Sequence, residues 1–459
     1  MLMKLSRYFF YAFVFLLPLQ TVLLVREPMI GGEKWQYGTI GVYATDILFM
    51  GALILLFVIP GLTRDLEKKQ GKRRSQVKPG MTRWWFGVFI VWALLSLLWA
   101  PDKMLAGYFV VKLMLAVGVF LIARSLGERE VRIVVMLLFG GAVIQSLLGI
   151  MQFLTQATFV SSWLGMSGHE AWQAGTSVLK LDSGRFLRAY GTLPHPNMLG
   201  GYLATVVVLG TAWVVLRPSS ILSSQRGGWK WWSIFLSGGM VTILLGLLVT
   251  FSRSAWVGTV VGMLVLVFLS VWQLFIRSSR NSAVLQNVGE TLMTRVFMVF
   301  CMATLIFSWV LHETVLPRFE SRVIEREHSV SERVQSFEDV WEVMSEKNIW
   351  LGAGGGNFTA AVIQAQPERP LWSIQPAHNV FVLVLVELGV VGVVLFILFL
   401  ISLVWSALRE RSSVFFAVFG VLFLSLCLDH WLWSTHFGLL FLFLMLGLST
   451  KRYHDAPSD

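Results

Sequence analysis

Apolar residues along the chain fall in long blocks separated by shorter polar stretches. Blocks long enough for a helix to cross a hydrocarbon layer lie at roughly 8–25, 41–60, 84–100, 105–123, 131–154, 197–216, 231–250, 254–276, 296–316, 378–404, 414–428 and 432–449. A spanning helix takes about 17–25 residues. The pattern therefore predicts twelve spans, with 414–428 near the short limit, and shows no convincing internal repeat. The expected fold class is all-α, a polytopic transmembrane helical bundle. Two connecting segments are too long to be turns, 155–196 and 317–377. In the second, a charged stretch carries Val330, Val334, Phe337, Val340, Trp341 and Met344. That spacing of three and four predicts an amphipathic helix. The run LGAGGGNF (Leu351–Phe358) follows it. Long ordered loops are usually functional.

Composition narrows the class. Of 459 residues, 56% are hydrophobic and 14% charged, against roughly 45–50% and about 25% in soluble domains. Mean hydropathy is +0.70. These values exclude a cytosolic enzyme, a secreted disulfide scaffold and a disordered protein. Cys301 and Cys427 both sit in apolar stretches and read as small buried hydrophobes. Lys4 and Arg7 precede the first block and no small-residue cleavage site follows it, so a retained first helix is expected.

The net charge of +11 tests the topology. With the N-terminus in the cytoplasm and strict alternation, 23 of the 37 Lys and Arg residues fall on or beside cytoplasmic segments. The stretch Arg64–Arg83 alone holds eight. Of the rest, Lys112 lies within a span and six occupy the long outer segment 317–377. This is the positive-inside pattern. Both termini are then cytoplasmic and both long segments lie on the outer face. The basic charge sets orientation, and no nucleic-acid partner is expected.

The outer face gathers the chemically informative motifs. RAYGTLPHPNMLGGYLA (Arg188–Ala204) leads into the sixth span, and TFSRSAWVG (Thr250–Gly258) joins the seventh and eighth. SERV (Ser331–Val334) lies in the long loop, and PAHNVFVLVLVELGVVG (Pro376–Gly392) opens the tenth span. Arg253 sits in a turn of a few residues between apolar blocks, where a charge is either functional or a snorkelling interfacial side chain. Arg188 is followed by a Pro-His-Pro-Asn turn; it reads as an ordinary loop arginine or as a ligand contact. Guanidinium groups suit bidentate phosphate binding. Asn197 reads as a helix cap. His378 reads either as a structural helix-start residue or as a general base, an imidazole titrating near neutrality. Asn379 would cap the helix or orient that imidazole. Glu387 lies nine residues on, about 13 Å deeper along a helix, as a buried packing or proton-handling group. Asp46 would pair with an arginine. Lys112, Asp429, His430 and His436 read first as structural pairing residues. No GK[ST] follows Gly354–Gly356, no HExxH helix occurs, and the histidines lack metal-ligand spacing. Ser252 and Ser254 lack the context of a nucleophile elbow.

These motifs, in this order and on this topology, resemble the O-antigen ligase and O-antigen polymerase superfamily. The resemblance covers about 185–400. It implies a GT-C-like bacterial inner-membrane glycosyltransferase with a long, partly helical periplasmic loop. It implies transfer of a glycan from an undecaprenyl-diphosphate donor, at the periplasmic face, to lipid A–core (ligase) or to a lipid-linked repeat unit (polymerase). By resemblance, Arg253 and Arg188 hold the diphosphate and His378 deprotonates the acceptor hydroxyl. Arg333 is a further phosphate or glycan contact, with His195, Asn197 and Asn379 as substrate-binding neighbours. No metal and no cofactor are implied, and membrane lipids are the surroundings. The corresponding organisation is 1–184 as N-terminal transmembrane helices with the first part of an outer loop, 185–404 as the catalytic region, and 405–459 as C-terminal helices with a short cytoplasmic tail. The loop 61–83 is longer and more basic than this chemistry needs. A protein O-oligosaccharyltransferase and a membrane transporter are the other classes; a transporter would place ionisable groups near the bilayer midplane, whereas here they gather at the outer rim.

Overall fold

The structure is a computed structural model that describes residues 2–57, 81–181, 184–215, 229–277 and 323–450. They are mostly helical, with three short antiparallel strand pairs. Among the described residues, four helices are long and apolar enough to cross a membrane: Lys103–Ser125, Glu128–Thr155, Arg253–Trp272 and Val380–Glu410. Shorter apolar helices include Ala44–Leu56, Leu236–Val249, Ser413–Leu428 and His436–Ser449. The expected span 296–316 and most of the basic loop 61–83 lie outside the described residues.

Helix starts follow from local chemistry. Asp102 caps the Lys103–Ser125 helix by accepting from the Leu105 N–H at 2.9 Å. Glu130 reaches back to the Gly127 N–H at 2.7 Å at the head of Glu128–Thr155. The first apolar block departs from expectation. Its helix, Leu2–Leu16, ends just before Pro18, and Val22–Arg26 then pairs antiparallel with Ile40–Tyr43, the start of the second block. A proline cannot donate a helical hydrogen bond, so the apolar run divides into helix and strand.

The chain forms two compact units that interleave in sequence. One comprises Met1–Leu126, Val330–Arg409 and Leu426–Leu448. Its core is aromatic: Phe86 stacks on Phe399 with centroids 4.7 Å apart, and Trp433 packs against Phe109 and Phe396 at 5.2 and 5.6 Å. The other comprises Gly127–Ser329, Glu410–Ser425 and Ser449–Asp459. There the Glu128–Thr155, Pro196–Val215 and Trp229–Val249 helices pack on one another, and Arg253–Arg277 packs on Pro196–Val215.

In the first unit the Val380–Glu410 helix is broken at Gly389, whose φ is 72° and ψ −175°. A break frees backbone groups that need partners in a dry interior. The Gly-rich segment supplies them. Ala353 and Gly354 N–H donate to Val386 O and Glu387 O, each at 2.7 Å, and Val390 N–H donates to Ile349 O at 2.9 Å. Trp92 Nε1 completes the set by donating to Leu388 O at 2.8 Å. A Cβ on Gly389 would lie 2.1 Å from Trp350 O, so both the dihedral and the close approach require glycine. Glu387 is buried and accepts from Trp433 Nε1 at 2.9 Å.

The expected amphipathic helix is present at Val323–Glu346, but the face turned inward is not the apolar one. Val334, Phe337 and Trp341 are exposed, whereas Ser336, Asp339 and Val343 are buried. Asp339 forms an ion pair with Arg369, and this buried pair fixes the helix rotation.

Candidate functional site

In the second unit the sequence motifs meet around Arg188. The chain enters from the strand pair Val178–Leu181 and Gly184–Leu187. Arg188 is only 6% exposed. Its Nε donates to Thr250 O at 2.8 Å, Nη1 to Ser177 Oγ at 2.9 Å and Nη2 to Asn197 Oδ1 at 2.8 Å. One guanidinium thus ties together the strand pair, the Pro196–Val215 helix and the turn that carries Arg253. The next residue continues the tie, Ala189 N–H donating to Val249 O at 3.0 Å. Arg253 opens the Arg253–Arg277 helix and is half-buried. The preceding Phe251 has a φ of 49°, so the turn is tight. Gly200 permits the approach of this turn: a Cβ there would lie 2.9 Å from Ser252 Cβ and from Ala255 Cβ.

The helix cap differs from expectation. The helix begins at Pro196, a favoured first helical position, so the cap position is His195 and Asn197 lies within the first turn. Exposed His195 accepts from the Asn197 N–H through Nδ1 at 3.1 Å. The Asn197 side chain is engaged by Arg188.

Two residues in this region escaped the sequence reading. Gln152, fully buried, accepts from the Tyr190 and Gly191 N–H groups at 3.0 and 2.8 Å and donates to Gly191 O at 2.8 Å. Gln145 accepts from Thr192 N–H at 2.8 Å and donates to Thr192 Oγ1 at 2.9 Å. Both project from Glu128–Thr155, seven residues apart on one face. Two amides at that spacing in an apolar run were the available signal. They replace the missing secondary structure of segment 188–192 with buried side-chain partners. Beside it, Tyr190 stacks on His169 with centroids 4.5 Å apart. Burial lowers the His169 pKa.

In the first unit His378 precedes Val380–Glu410 and is partly exposed. Its Nδ1 lies 3.9 Å from Asp429 Oδ1, and its ring centroid lies 5.1 Å from that of His430. Asp429 is buried and also accepts from the His430 N–H at 2.7 Å. His430 Nδ1 meets Ser434 Oγ at 2.6 Å. Burial lowers the His430 pKa to about 4; Asp429 pulls it up and His378 pushes it further down. Asn379 caps the helix by accepting from Val382 N–H at 3.1 Å, and it donates to Cys427 O at 2.9 Å. Ser336, Phe337, Ala377, His378 and Asn379 help line a cavity of about 160 Å³. His378 thus lines a hollow and has a carboxylate 3.9 Å from its Nδ1.

His378, Asp429 and His430 also bring ligand-type atoms within 4.8 Å of one another, a grouping that sequence spacing hid. Asp429 Oδ1 and His430 Nδ1 already hold hydrogen bonds within the protein. Arg333 lies on the Val323–Glu346 helix, and its side chain is outside the described residues. Asp46 pairs with Lys112, not with an arginine. Lys112 Nζ lies 3.1 Å from His436 Nδ1, and His436 Nε2 lies 2.8 Å from Thr45 Oγ1. Tyr43 stacks on His436 at 3.8 Å. Asp46, Lys112, His436 and Thr45 thus form one buried polar network, within which Asp46 Oδ1 lies 3.6 Å from His436 Nδ1.

Residues 238–397 match the family model described as O-antigen ligase. The match includes Arg253, Arg333, His378 and Asn379, and begins after Arg188. No curated protein matches the chain.

Proposed function

We propose, from the match of residues 238–397 to the O-antigen ligase family model, that the chain is a member of the O-antigen ligase and polymerase superfamily and transfers a glycan from undecaprenyl diphosphate to an acceptor sugar hydroxyl at the periplasmic face of the bacterial inner membrane. The acceptor in the leading reading is lipid A–core, which makes the protein an O-antigen ligase. A lipid-linked repeat unit as acceptor would make it a polymerase. The fold that goes with this reading is a GT-C-like bundle of twelve spans with both termini cytoplasmic, and 185–404 is its catalytic region.

The observation that carries the reading is the family match. The geometry of His378 supports it. A general base needs a ring that is reachable and oriented. Here His378 lines a cavity and its Nδ1 has the Asp429 carboxylate at 3.9 Å. In the proposed step His378 takes the acceptor hydroxyl proton as the oxygen attacks the anomeric carbon. The anomeric carbon–oxygen bond to the diphosphate breaks, and undecaprenyl diphosphate leaves with the bonding electrons. The configuration inverts.

Arg253 and Arg188 hold the diphosphate and stabilise its growing charge, which fixed guanidinium groups do without reorganisation. Arg333, His195, Asn197 and Asn379 complete the substrate contacts. Asn197 and Asn379 act mainly by holding Arg188 and the helix that follows His378. No metal takes part. One observation bears on the transporter alternative, the break at Gly389, since transporters use broken helices as ion sites. The freed groups at Val386, Glu387, Leu388 and Val390 are taken up by the Gly-rich segment and Trp92, which favours a structural break.

The deciding experiment gives the purified protein a lipid-diphosphate glycan with either lipid A–core or a second lipid-linked unit. Extension of lipid A–core supports the ligase reading. Extension of the lipid-linked unit alone selects the polymerase. Transfer to neither removes the proposal.

A further inference from the structure

Glu387 is a buried carboxylate that the transfer step does not use. It is 4% exposed and lies in the last turn before the break at Gly389. Three N–H groups bond it: Trp433 Nε1 at 2.9 Å, and the backbone N–H groups of Gly356 and Phe358. An ionised carboxylate only accepts, so a surrounding of donors fits it. These partners divide into two tasks. Gly356 and Phe358 belong to the Gly-rich segment and the head of the Phe358–Ala365 helix. Trp433 belongs to neither; it sits on the one-turn helix Trp431–Ser434.

That one-turn helix follows directly on Asp429 and His430, the residues beside His378. A single turn is too short to hold itself, so its place is set by what it is tied to. Within it, the Trp433 and Ser434 N–H groups donate to His430 O at 2.9 and 3.0 Å. Two hydrogen bonds tie this segment to the stretch that carries His378. Asn379 donates to Cys427 O at 2.9 Å, before Asp429 in the chain. Glu387 takes the Trp433 indole N–H, after His430. Asn379 and Glu387 thus bracket Asp429 and His430 between residues 427 and 433. Trp433 is 2% exposed and packs against Phe109 and Phe396, so its ring has little room to turn by itself.

We propose that Glu387 is a positioning residue for the base: by holding Trp433 it keeps Asp429 and His430 in register with His378. It touches no substrate. One stretch of chain carries both His378 and the anchor of the segment opposite, and so sets the 3.9 Å spacing of His378 and Asp429 from both ends. A misplacement of about 1 Å at a catalytic group can cost about a hundredfold in rate, so losing this tie reaches the chemistry from a distance. A carboxylate is a costly choice for packing alone in a dry interior. The Gly-rich segment is also held without it, through the Ala353 and Gly354 N–H groups on Val386 O and Glu387 O. The catalytic meaning of the tie rests on the glycan-transfer reading above, whereas the tie itself is read without turnover.

The experiment uses the full-length protein in detergent, with carbon-labelled histidine for NMR. The chain has eight histidines, and His378→Gln assigns the His378 ring signal. Trp433→Phe deletes the indole N–H and leaves Glu387 its two backbone partners. It should shift the His378 signal and leave those of His169 and His195, in the other unit, in place. In transfer, kcat should fall about tenfold with KM for donor and acceptor unchanged. In an Asp429→Asn background the same substitution should cause no further loss, because it acts through that carboxylate. Glu387→Gln removes no volume but sets an NH2 among N–H donors; it should shift the same signal, and it decides where Trp433→Phe does not accumulate. An unmoved His378 signal in the folded variants, wild-type kcat, or a loss that adds in full to that of Asp429→Asn would each overturn the proposal. A shifted signal in a protein whose wild type transfers no glycan would remove the glycan reading and sustain the tie of Glu387 to His378.

Discussion

Replacing Gln152 by leucine removes an amide and leaves its size nearly unchanged. The structure sets the cost. Two backbone N–H groups, of Tyr190 and Gly191, and one carbonyl, of Gly191, lose their partner at a site with no solvent access. Each stranded group costs about 1–3 kcal/mol. The sum is not additive for neighbours, so the expected loss is roughly 3–6 kcal/mol, a large share of a typical stability of about 5–15 kcal/mol. The loss should be local first, because segment 188–192 relies on Gln152 and Gln145 in place of regular secondary structure. The assay pairs thermal unfolding in detergent with hydrogen exchange over 188–199. Gln152→Leu should lower the unfolding temperature and speed exchange in that segment. Leu147→Ala, at an exposed position of the same helix, should do neither. Transfer should fall with the segment, since Arg188 begins it. A Gln152→Leu protein with wild-type stability and wild-type exchange over 188–192 would refute the view that these amides build the Arg188 region.

Other expectations follow from the same structure. Gly389→Ala should abolish accumulation of folded protein, because its Cβ would collide with Trp350 O in a left-handed backbone; normal expression and unfolding temperature would contradict the broken-helix description. Burial holds the His430 pKa near 4, below its usual value of about 6.5. The unfolded chain then binds the proton first, so stability is complete above about pH 6.5 and declines as pH falls toward 4. His430→Gln should flatten that decline in unfolding temperature measured against pH. Arg188→Lys keeps the charge but cannot reach Thr250 O, Ser177 Oγ and Asn197 Oδ1 together; it should lower both stability and transfer, and an unaffected variant would show that charge alone suffices there. Chelators should leave transfer unchanged, and restoration of a lost activity by a divalent cation would assign His378, Asp429 and His430 to a metal instead.

Much of the helical layout was legible because membrane helices leave long apolar blocks, and the Val380–Glu410 and Glu128–Thr155 helices lie where those blocks do. The break at Gly389 was not legible. A glycine in an apolar run is compatible with an unbroken helix, and the partners that satisfy the break come from Ile349–Gly354 and Trp92, far away in sequence. The first block failed for a related reason: a continuous apolar run does not say whether it is helix or strand, and only Pro18 marked the division. The rotation of the Val323–Glu346 helix was not legible, because apolar spacing marks a face without saying which way it turns. The Asp339–Arg369 pair is what turns inward. At the site, residue types pointed to Arg188, Arg253 and His378. Their supports, Gln145, Gln152 and Asp429, depend on contacts across tens of residues that spacing does not encode. Asn197 shows the difference: it was read as a cap, while His195 takes that place and Asn197 holds Arg188.

The central claim is transfer from a lipid diphosphate with His378 as base and Arg253 at the leaving group. The most direct measurement is glycan transfer from undecaprenyl-diphosphate donor to lipid A–core by purified wild type, His378→Ala and Arg253→Ala, each checked for unchanged unfolding temperature. The account predicts transfer by wild type alone. Transfer at the wild-type rate by both folded variants would contradict it.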